Sequence, residues 1–267
     1  MELYHFGFST CSQKTRLVLA EKGLDFESRE VNLMTGEQHD PAYVKLNPHH
    51  VVPTLVHEGR VFTESTLIIR YLDDAFPEPP LRPTDARARY EDEAWLKHVD
   101  GVLHPAAPIV TFAVGPRRAL LQQPAEVREA NIAGIPDAQE RATRRSVIEH
   151  GVEAPEFAAA FGVFLDTLDS MESDLGSRPW LSGDSPGLAD ATALPYVLRL
   201  EHLAMDPLID ARPRVADWFA RWKQRPAYAT AVESWIIPAA VEMMRSGGKE
   251  VWADVERLAA AHASRAA

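Results

Sequence analysis

Residues 47–73 read N-P-H-H-V-V-P-T-L-V-H-E-G-R-V-F-T-E-S-T-L-I-I-R-Y-L-D. The β-rich runs Thr54–Val56 and Arg60–Phe62 flank Glu58-Gly59, where the glycine suits the positive φ of a two-residue hairpin turn. Leu67, Ile68, Tyr71 and Leu72 then recur at helical spacing, so a helix is expected over 65–75. V-P-T-L ahead of a hairpin points to a cis bond between Val52 and Pro53, a form that serves tight geometry. Such a corner turns the Val52 N–H and C=O outward, where an extended peptide pairs with them like an added strand. The helix that follows opens at Glu64-Ser65. Its unpaired N–H groups and Ser65 suit a carboxylate, and Glu64 suits an ammonium. A strand-edge proline and a plain helix cap are the bland readings of the same residues.

Working outward, Leu3–Phe6 reads as a strand, Gln13–Lys22 as a helix with Gly23 as its stop, and Leu24–Leu33 as a second strand. Gly7, Ser9, Thr10 and Ser12 between the first two are turn and cap formers. Met34–Pro41 is loop-like and Pro41–Leu46 suits a short helix. The order β-α-β, loop, β-β-α is thioredoxin-like. Phe76–Pro83 then carries Pro77, Pro79, Pro80 and Pro83, which no helix continues through. Beyond it only helices are expected: Ala86–Val102 (through Tyr90, Trp95, His98 and Val102), Phe157–Leu175, Leu188–Leu203, Arg214–Gln224 and Pro226–Trp235. Residues 115–154 form helical pieces and loops. The expected fold is α/β plus all-α: a thioredoxin-like peptide-binding domain over 1–76, a proline-rich linker over 77–84, an all-α acceptor domain over 85–250, and a C-terminal helix and tail over 251–267. The Ala-rich end, 259–267, is expected to fray.

Composition narrows the function. The chain has 267 residues, 46% of them apolar, enough for a packed core. A formal net charge of −11 argues against nucleic acid as a partner. The densest basic run, Arg141–Arg145, reads as a solvated helix face. With Cys11 as the one cysteine, an intramolecular disulfide and a cysteine zinc site are excluded, and a reducing cytoplasmic setting is expected. The N-terminus lacks the pattern of a secretory signal, and no apolar run approaches a membrane span.

Ser9-Thr10-Cys11-Ser12 lies where exposed N–H groups and a positive helix end meet. One hydroxyl there caps the helix. Another is placed to donate to a bound thiolate. Lowering a thiol from about 8.5 to about 7 needs about 2 kcal/mol, which one charge-assisted hydrogen bond of roughly 1.5–3 kcal/mol supplies. Cys11 offers a rival chemistry as a redox nucleophile, although no second cysteine exists to resolve a disulfide; a small buried hydrophobe is its other reading. Gln38, His39, His49 and His50 are polar and near the same surface. Without ligand spacing they read as contacts to a second carboxylate rather than as metal ligands. Trp95, Phe112, Phe157, Phe161 and Trp235 read mostly as core, with some available to wall an apolar pocket.

These residues resemble the soluble glutathione transferases of the serine type. The resemblance is carried by S-T-C-S-Q-K-T-R-L-V-L-A-E-K-G-L, V-P, E-S and G-L-A-D at Gly187–Asp190. It implies glutathione as cosubstrate and a homodimer. It also implies thiol activation by Ser9, with Ser12 as a competing match. Contacts to the peptide are implied for Thr10, Cys11, Gln38, His39, His50, Val52, Pro53, Glu64 and Ser65, and no metal is implied. Asp190 is expected to be structural, the half of a capping box that remains when Gly187 stands where the family has Ser or Thr. Val51 stands where many members have Gln. N-P-x-x-x-V-P, T-E-S-T, Y-L-D-D-A-F-P-E and I-P-D-A-Q-E-R-A-T-R-R resemble the bacterial lignin β-aryl-etherase group and its fungal relatives. The implied activity is attack of glutathione thiolate on an electrophilic carbon of an apolar or aromatic acceptor, with β-aryl ether cleavage as its finer form. A non-catalytic glutathione or apolar-ligand binder, and a Cys11-dependent thiol oxidoreductase, are the alternatives.

Overall fold

The computed structural model describes residues 1–266. It opens with β1 (Glu2–His5), α1 (Thr10–Glu21), β2 (Glu27–Glu30), a short α2 (Pro41–Val44), β3 (Thr54–His57), β4 (Arg60–Phe62) and α3 (Ser65–Ala75). The sheet order is β2-β1-β3-β4. β1 and β2 run parallel, whereas β1–β3 and β3–β4 are antiparallel. The β3–β4 turn has positive φ at both Glu58 (51°) and Gly59 (74°), the two-residue geometry that matches the right-handed strand twist. β2 is shorter than the expected 24–33. Its E-S-R-E sequence is exposed throughout, as suits an edge strand, and pairing stops before Val31 turns into the core.

α1 packs on α3, and Leu3, Leu17, Val18, Leu19, Leu55, Ile68, Ile69 and Leu72 are completely buried. Burial of that many aliphatic side chains, at about 25 cal/mol per Å² of apolar surface, is the main force closing this layer. One sequence expectation is corrected here. Leu67 is 57% exposed and Ile69 is sealed, because the buried stripe of α3 follows positions 65, 68, 69 and 72.

The proline-rich segment is pinned. Lys22 and Asp73 form a buried ion pair at 2.7 Å, and Lys22 Nζ also donates to the carbonyls of Phe76 and Pro79 at 2.7 and 2.8 Å. Asp73 further accepts from Leu81 N–H and Arg82 Nε. The Glu78–Pro79 bond is cis.

The rest of the described chain is helical: α4 (Ala86–His98), α5 (His104–Val114), α6 (Arg117–Gln122), α7 (Ala125–Ala133), α8 (Ala138–His150), α9 (Phe157–Asp174), α10 (Leu188–His202), α11 (Asp206–Asp210), α12 (Pro213–Lys223), α13 (Pro226–Ala231) and α14 (Pro238–Ala266). A π-helical turn, Val99–Leu103, separates α4 from α5. The expected stripe of α4 is half right: Trp95 is buried, whereas Tyr90 and Val102 are 75% and 44% exposed.

Compactness groups residues 1–98, 174–195 and 217–237 into one unit, and 99–173, 196–216 and 238 onward into a second. In the first, Asp190 is wholly buried and accepts from the N–H groups of Leu181, Ser182 and Gly187 and from Trp218 Nε1. In the second, Phe157 and Phe161 stack at 5.7 Å and Arg144 lies 3.6 Å above Phe112. A Cβ at Gly248 would stand 1.6 Å from the Leu203 carbonyl oxygen, so only glycine lets α14 pass so near the end of α10. The end of the chain expected to fray, 259–267, is helical as far as 266. α14 runs unbroken through position 250 to 266, helped by a 2.7 Å contact between His262 Nε2 and Asp166; residue 267 lies outside the described residues.

Candidate functional site

Ser9 is the N-cap of α1. Its backbone is extended (φ −69°, ψ 122°) and its Oγ accepts the Ser12 N–H at 3.2 Å. That uses one lone pair and leaves the half-buried hydroxyl proton to donate. Ser12 is 0% exposed, and its Oγ accepts the Phe6 N–H at 3.3 Å. It therefore ties α1 back to the end of β1. Thr10 and Cys11 are half-buried in the first turn of α1, and Cys11 is a free thiol.

The Val52–Pro53 bond is cis, as the sequence indicates. The Val52 side chain is packed inward, 5% exposed, in a cluster with Phe6, Val31 and Tyr43, and Tyr4, Phe8 and Leu33 pack against the same cluster. That cluster joins the corner to the β1–α1 loop carrying Ser9. The Val52 N–H and C=O take no hydrogen bond from any described residue, whereas the neighbouring Val51 carbonyl accepts from Tyr43 Oη at 2.6 Å and Asn47 Nδ2 at 2.8 Å. A buried side chain thus anchors a backbone whose own polar groups stay unpaired. Pro53 is buried, and the Val51 side chain is 48% exposed.

α3 supplies the third piece. Glu64 sits at φ 65°, ψ 105°, a left-handed conformation that is costly for a residue with a Cβ and recurs at ligand sites. Its side chain makes no capping bond and is exposed. Ser65 is 7% exposed at the first turn, where the N–H groups of the helix start have no intrahelical partner. Lys14 Nζ, fully buried on α1, donates to Thr66 Oγ1 at 2.8 Å and bridges the two helix starts.

Gln38, His39 and His50 come together. Gln38 Nε2 lies 3.1 Å from His39 Nε2, and the Nδ1 atoms of His39 and His50 are 3.0 Å apart. Only one proton fits between two ring nitrogens at that distance. Burial, then the neighbouring His50, holds His39 below its ordinary range, and Asp40 opposes them. His49 is exposed. Among the described residues no group of three or more His, Cys, Asp or Glu converges as a metal site, and no helix is long and apolar enough to cross a membrane. A surface depression of about 490 Å³ beside Phe26, Val56 and Gly59 lies at the far end of the strands from Ser9 and Val52, and is no part of this site.

Two features escaped the sequence reading. Arg16, 1% exposed, holds the carbonyls of Phe6 and Gly7 behind Ser9. Lys14 lies beneath α3. Nothing in the sequence pattern marks either as buried.

The serine-capped helix start, the cis-proline corner and the strained start of α3 all stand on a thioredoxin-like sheet. Sequence comparison agrees. The family described as "Glutathione S-transferase, N-terminal domain" matches residues 3–80, and "Glutathione S-transferase, C-terminal domain" matches residues 153–221. Maleylacetoacetate isomerase of Pseudomonas aeruginosa is 30% identical over 219 residues, 80% of this chain and 87% of that protein. The chain belongs to the glutathione S-transferase family, whose cosubstrate is glutathione. The crystal structure of β-etherase LigF from Sphingobium sp. strain SYK-6 superimposes with a TM-score of 0.78 at 29% identity, covering 87% of this chain and 98% of that one. In sequence, Protein LigF of the same organism is 46% identical over 102 residues, 38% of this chain and 40% of that protein. Glutathione S-transferase 1 of Dianthus caryophyllus is 41% identical over 120 residues, so this chain spans about half (49%) of that relative's length.

Proposed function

We propose that this protein is a transferase in which the thiolate of glutathione attacks an electrophilic carbon of an apolar or aromatic acceptor. The observation that carries the reading is the Val52 corner, where a buried side chain presents an unpaired N–H and C=O beside the capped start of α1. Glutathione lies along that edge as an added strand. Its γ-glutamyl carboxylate meets the α3 N-terminus at Ser65 and its ammonium meets Glu64. Its glycyl carboxylate meets Gln38, His39 and His50, and its thiol meets Ser9. Thr10 and Cys11 border the sulfur. Ser9 takes the donor role over Ser12, whose hydroxyl is sealed against Phe6 N–H. The domain of residues 1–76 binds the peptide, and 85–250 supplies the acceptor site.

The acceptor class is an aryl ether of the kind that the name β-etherase implies for the LigF structure. The C–S bond forms as the C–O bond breaks. The phenolate leaves with the electron pair and takes up the proton lost by the thiol. The protein contributes position and thiol ionisation, and needs no group of its own to form a bond. Calorimetry with glutathione, followed by turnover of a β-aryl ether panel with product identified by mass, tests this. Binding with formation of a glutathione thioether and a free phenol is expected. Binding without turnover of any electrophile converts the protein into a carrier. Thiol reductase activity that vanishes in Cys11→Ala assigns the chemistry to Cys11 instead.

A further inference from the structure

The end of β1 and the turn after it are held by a buried cation. Arg16 projects from the second turn of α1 and is 1% exposed. Four of its five N–H groups are used. Nε donates to the Ala231 carbonyl at 2.8 Å, Nη1 to His5 Nδ1 at 3.0 Å and to the Phe6 carbonyl at 3.3 Å, and Nη2 to the Gly7 carbonyl at 2.9 Å. The Phe6 carbonyl also accepts the Ser9 N–H at 3.1 Å. Arg16 and Ser9 therefore share one oxygen, and the shape of the turn presenting Ser9 depends on both. On the other side Arg16 lies 5.2 Å from the Trp235 ring, and Gly7 is so close to the Trp235 carbonyl that a Cβ would approach it to 2.6 Å.

Every one of these partners is neutral. His5 accepts from Arg16 at Nδ1, so its proton sits on Nε2 and faces Ser28 Oγ at 2.8 Å; burial, then Arg16, pushes His5 down to about 3. The acid that acts on Arg16 is Glu30, across the sheet in register with His5 and exposed. Among the described residues no carboxylate hydrogen-bonds the guanidinium. Burial pushes Arg16 down to about 9, so it stays charged at neutral pH. A buried charge without a carboxylate partner costs stability, and a nearby anion repays that cost.

We propose that Arg16 is the positioning residue for the reacting sulfur: it fixes the Phe6 and Gly7 carbonyls that shape the Ser9 turn, and its buried charge, bonded only to neutral groups, favours a thiolate over a thiol at that turn. The inference rests on the glutathione reading given above. It assigns no direct contact between Arg16 and sulfur.

The test is the pH titration of the bound thiol, followed by its ultraviolet thiolate absorbance, in wild type, Arg16→Met and Arg16→Lys. In Arg16→Met the bound-thiol pKa rises by about one unit. The rate at neutral pH falls about tenfold and recovers once the pH exceeds the new value. In Arg16→Lys the charge stays and the fork is lost, so KM for glutathione rises while the thiol pKa moves by only a few tenths. An unchanged thiol pKa in Arg16→Met, with only melting temperature or KM altered, overturns the proposal. If Arg16→Met does not fold, Arg16→Lys decides alone: a full-unit rise in spite of the retained charge overturns it. Wild type that binds no glutathione removes the functional reading instead, a result distinct from either.

Discussion

Ser9 and Ser12 stand three residues apart at the start of one helix and differ in what is left of their hydrogen-bonding capacity. Ser9 has an accepting oxygen engaged and a proton to give. Ser12 is sealed against Phe6 N–H. Ser9→Ala is therefore expected to raise the pKa of bound glutathione thiol by about one unit, the worth of a hydrogen bond to a charged acceptor. Ser12→Ala is expected to leave that titration alone and to cost about 1 kcal/mol in thermal unfolding. A shifted thiol in Ser12→Ala and an unshifted one in Ser9→Ala would exchange the roles. The sequence leaves the two serines unresolved because both lie in the right run. The choice depends on which way β1 delivers the Phe6 N–H, and that is a tertiary fact. His39 and His50 were similarly legible as polar neighbours, but their shared proton was not, since it needs a loop to bring positions eleven apart to 3.0 Å. His39 is held below its ordinary value of about 6.5, so as the pH drops below that ordinary value the unfolded chain binds more protons than the folded one. The stability this pair contributes is present above about pH 6.5 and falls as pH drops through the window. Hydrogen exchange across residues 36–50, corrected for intrinsic rate, is expected to quicken on acidification, and His50→Gln to weaken that dependence without removing it, since burial of His39 remains.

The start of α10 shows what changes at the scale of an element. Gly187 lacks the hydroxyl of a capping box, and the sequence leaves only Asp190 to cap. Asp190 does accept Gly187 N–H at 3.1 Å. The missing hydroxyl is supplied from elsewhere: Ser182 Oγ and Asp92 Oδ1 both accept the Ala189 N–H, at 3.2 and 3.1 Å, and Ser182 donates to Asp92 at 2.6 Å. A serine at 187 has no room, because its Cβ would meet the Leu81 carbonyl at 2.3 Å and Ser182 Oγ at 2.6 Å. Helix periods and prolines predicted where α3, α9 and α10 lie. A cap assembled from α4 and a distant loop leaves no local trace. It also carries a cost. Burial pushes Asp92 up from 3.8 to about 6, against the Ser182 and Ala189 bonds, and Oδ2 has no partner. The folded state then binds more protons than the unfolded chain between those values, so stability falls as pH rises through them, by about 3 kcal/mol at most. Asp92→Asn keeps Oδ1 as acceptor and removes the ionisation. Its melting temperature is expected to exceed wild type near pH 8, and the advantage to vanish near pH 4. An advantage independent of pH would mean that Asp92 is not titrating.

At the scale of the whole molecule, the thioredoxin-like half was legible through turn chemistry and period. The helical half was legible only as helices, since nothing local says which of them pack together or where an acceptor sits. Self-association belongs to this scale, and the family resemblance implies a homodimer. Among the described residues, α3 and α4 each hold a large apolar side chain in water. Leu67 is 57% and Tyr90 75% exposed. Leu67 lies three residues before Arg70 on α3, and Tyr90 three before Glu93 on α4, so each shares a face with its charged neighbour. Arg70 and Glu93 pair, which sets the two faces side by side. Tyr71, one turn beyond Leu67, stacks on Phe62 of β4 at 4.0 Å and meets His57 Nδ1 at 2.7 Å, so this part of α3 is held firmly on the sheet edge. Two large apolar groups held in water on a stiff seam are costly unless covered, and a second copy of the same seam, related by a two-fold axis, covers both at once. Sedimentation of the wild-type chain is expected to give twice the 29.7 kDa mass of one chain. The double variant Leu67→Glu with Tyr90→Glu is expected to give a monomer with an unchanged circular dichroism spectrum, because neither side chain is part of the core. A variant that remains dimeric would place the contact elsewhere, and a wild type that sediments as a monomer would leave the seam without a partner.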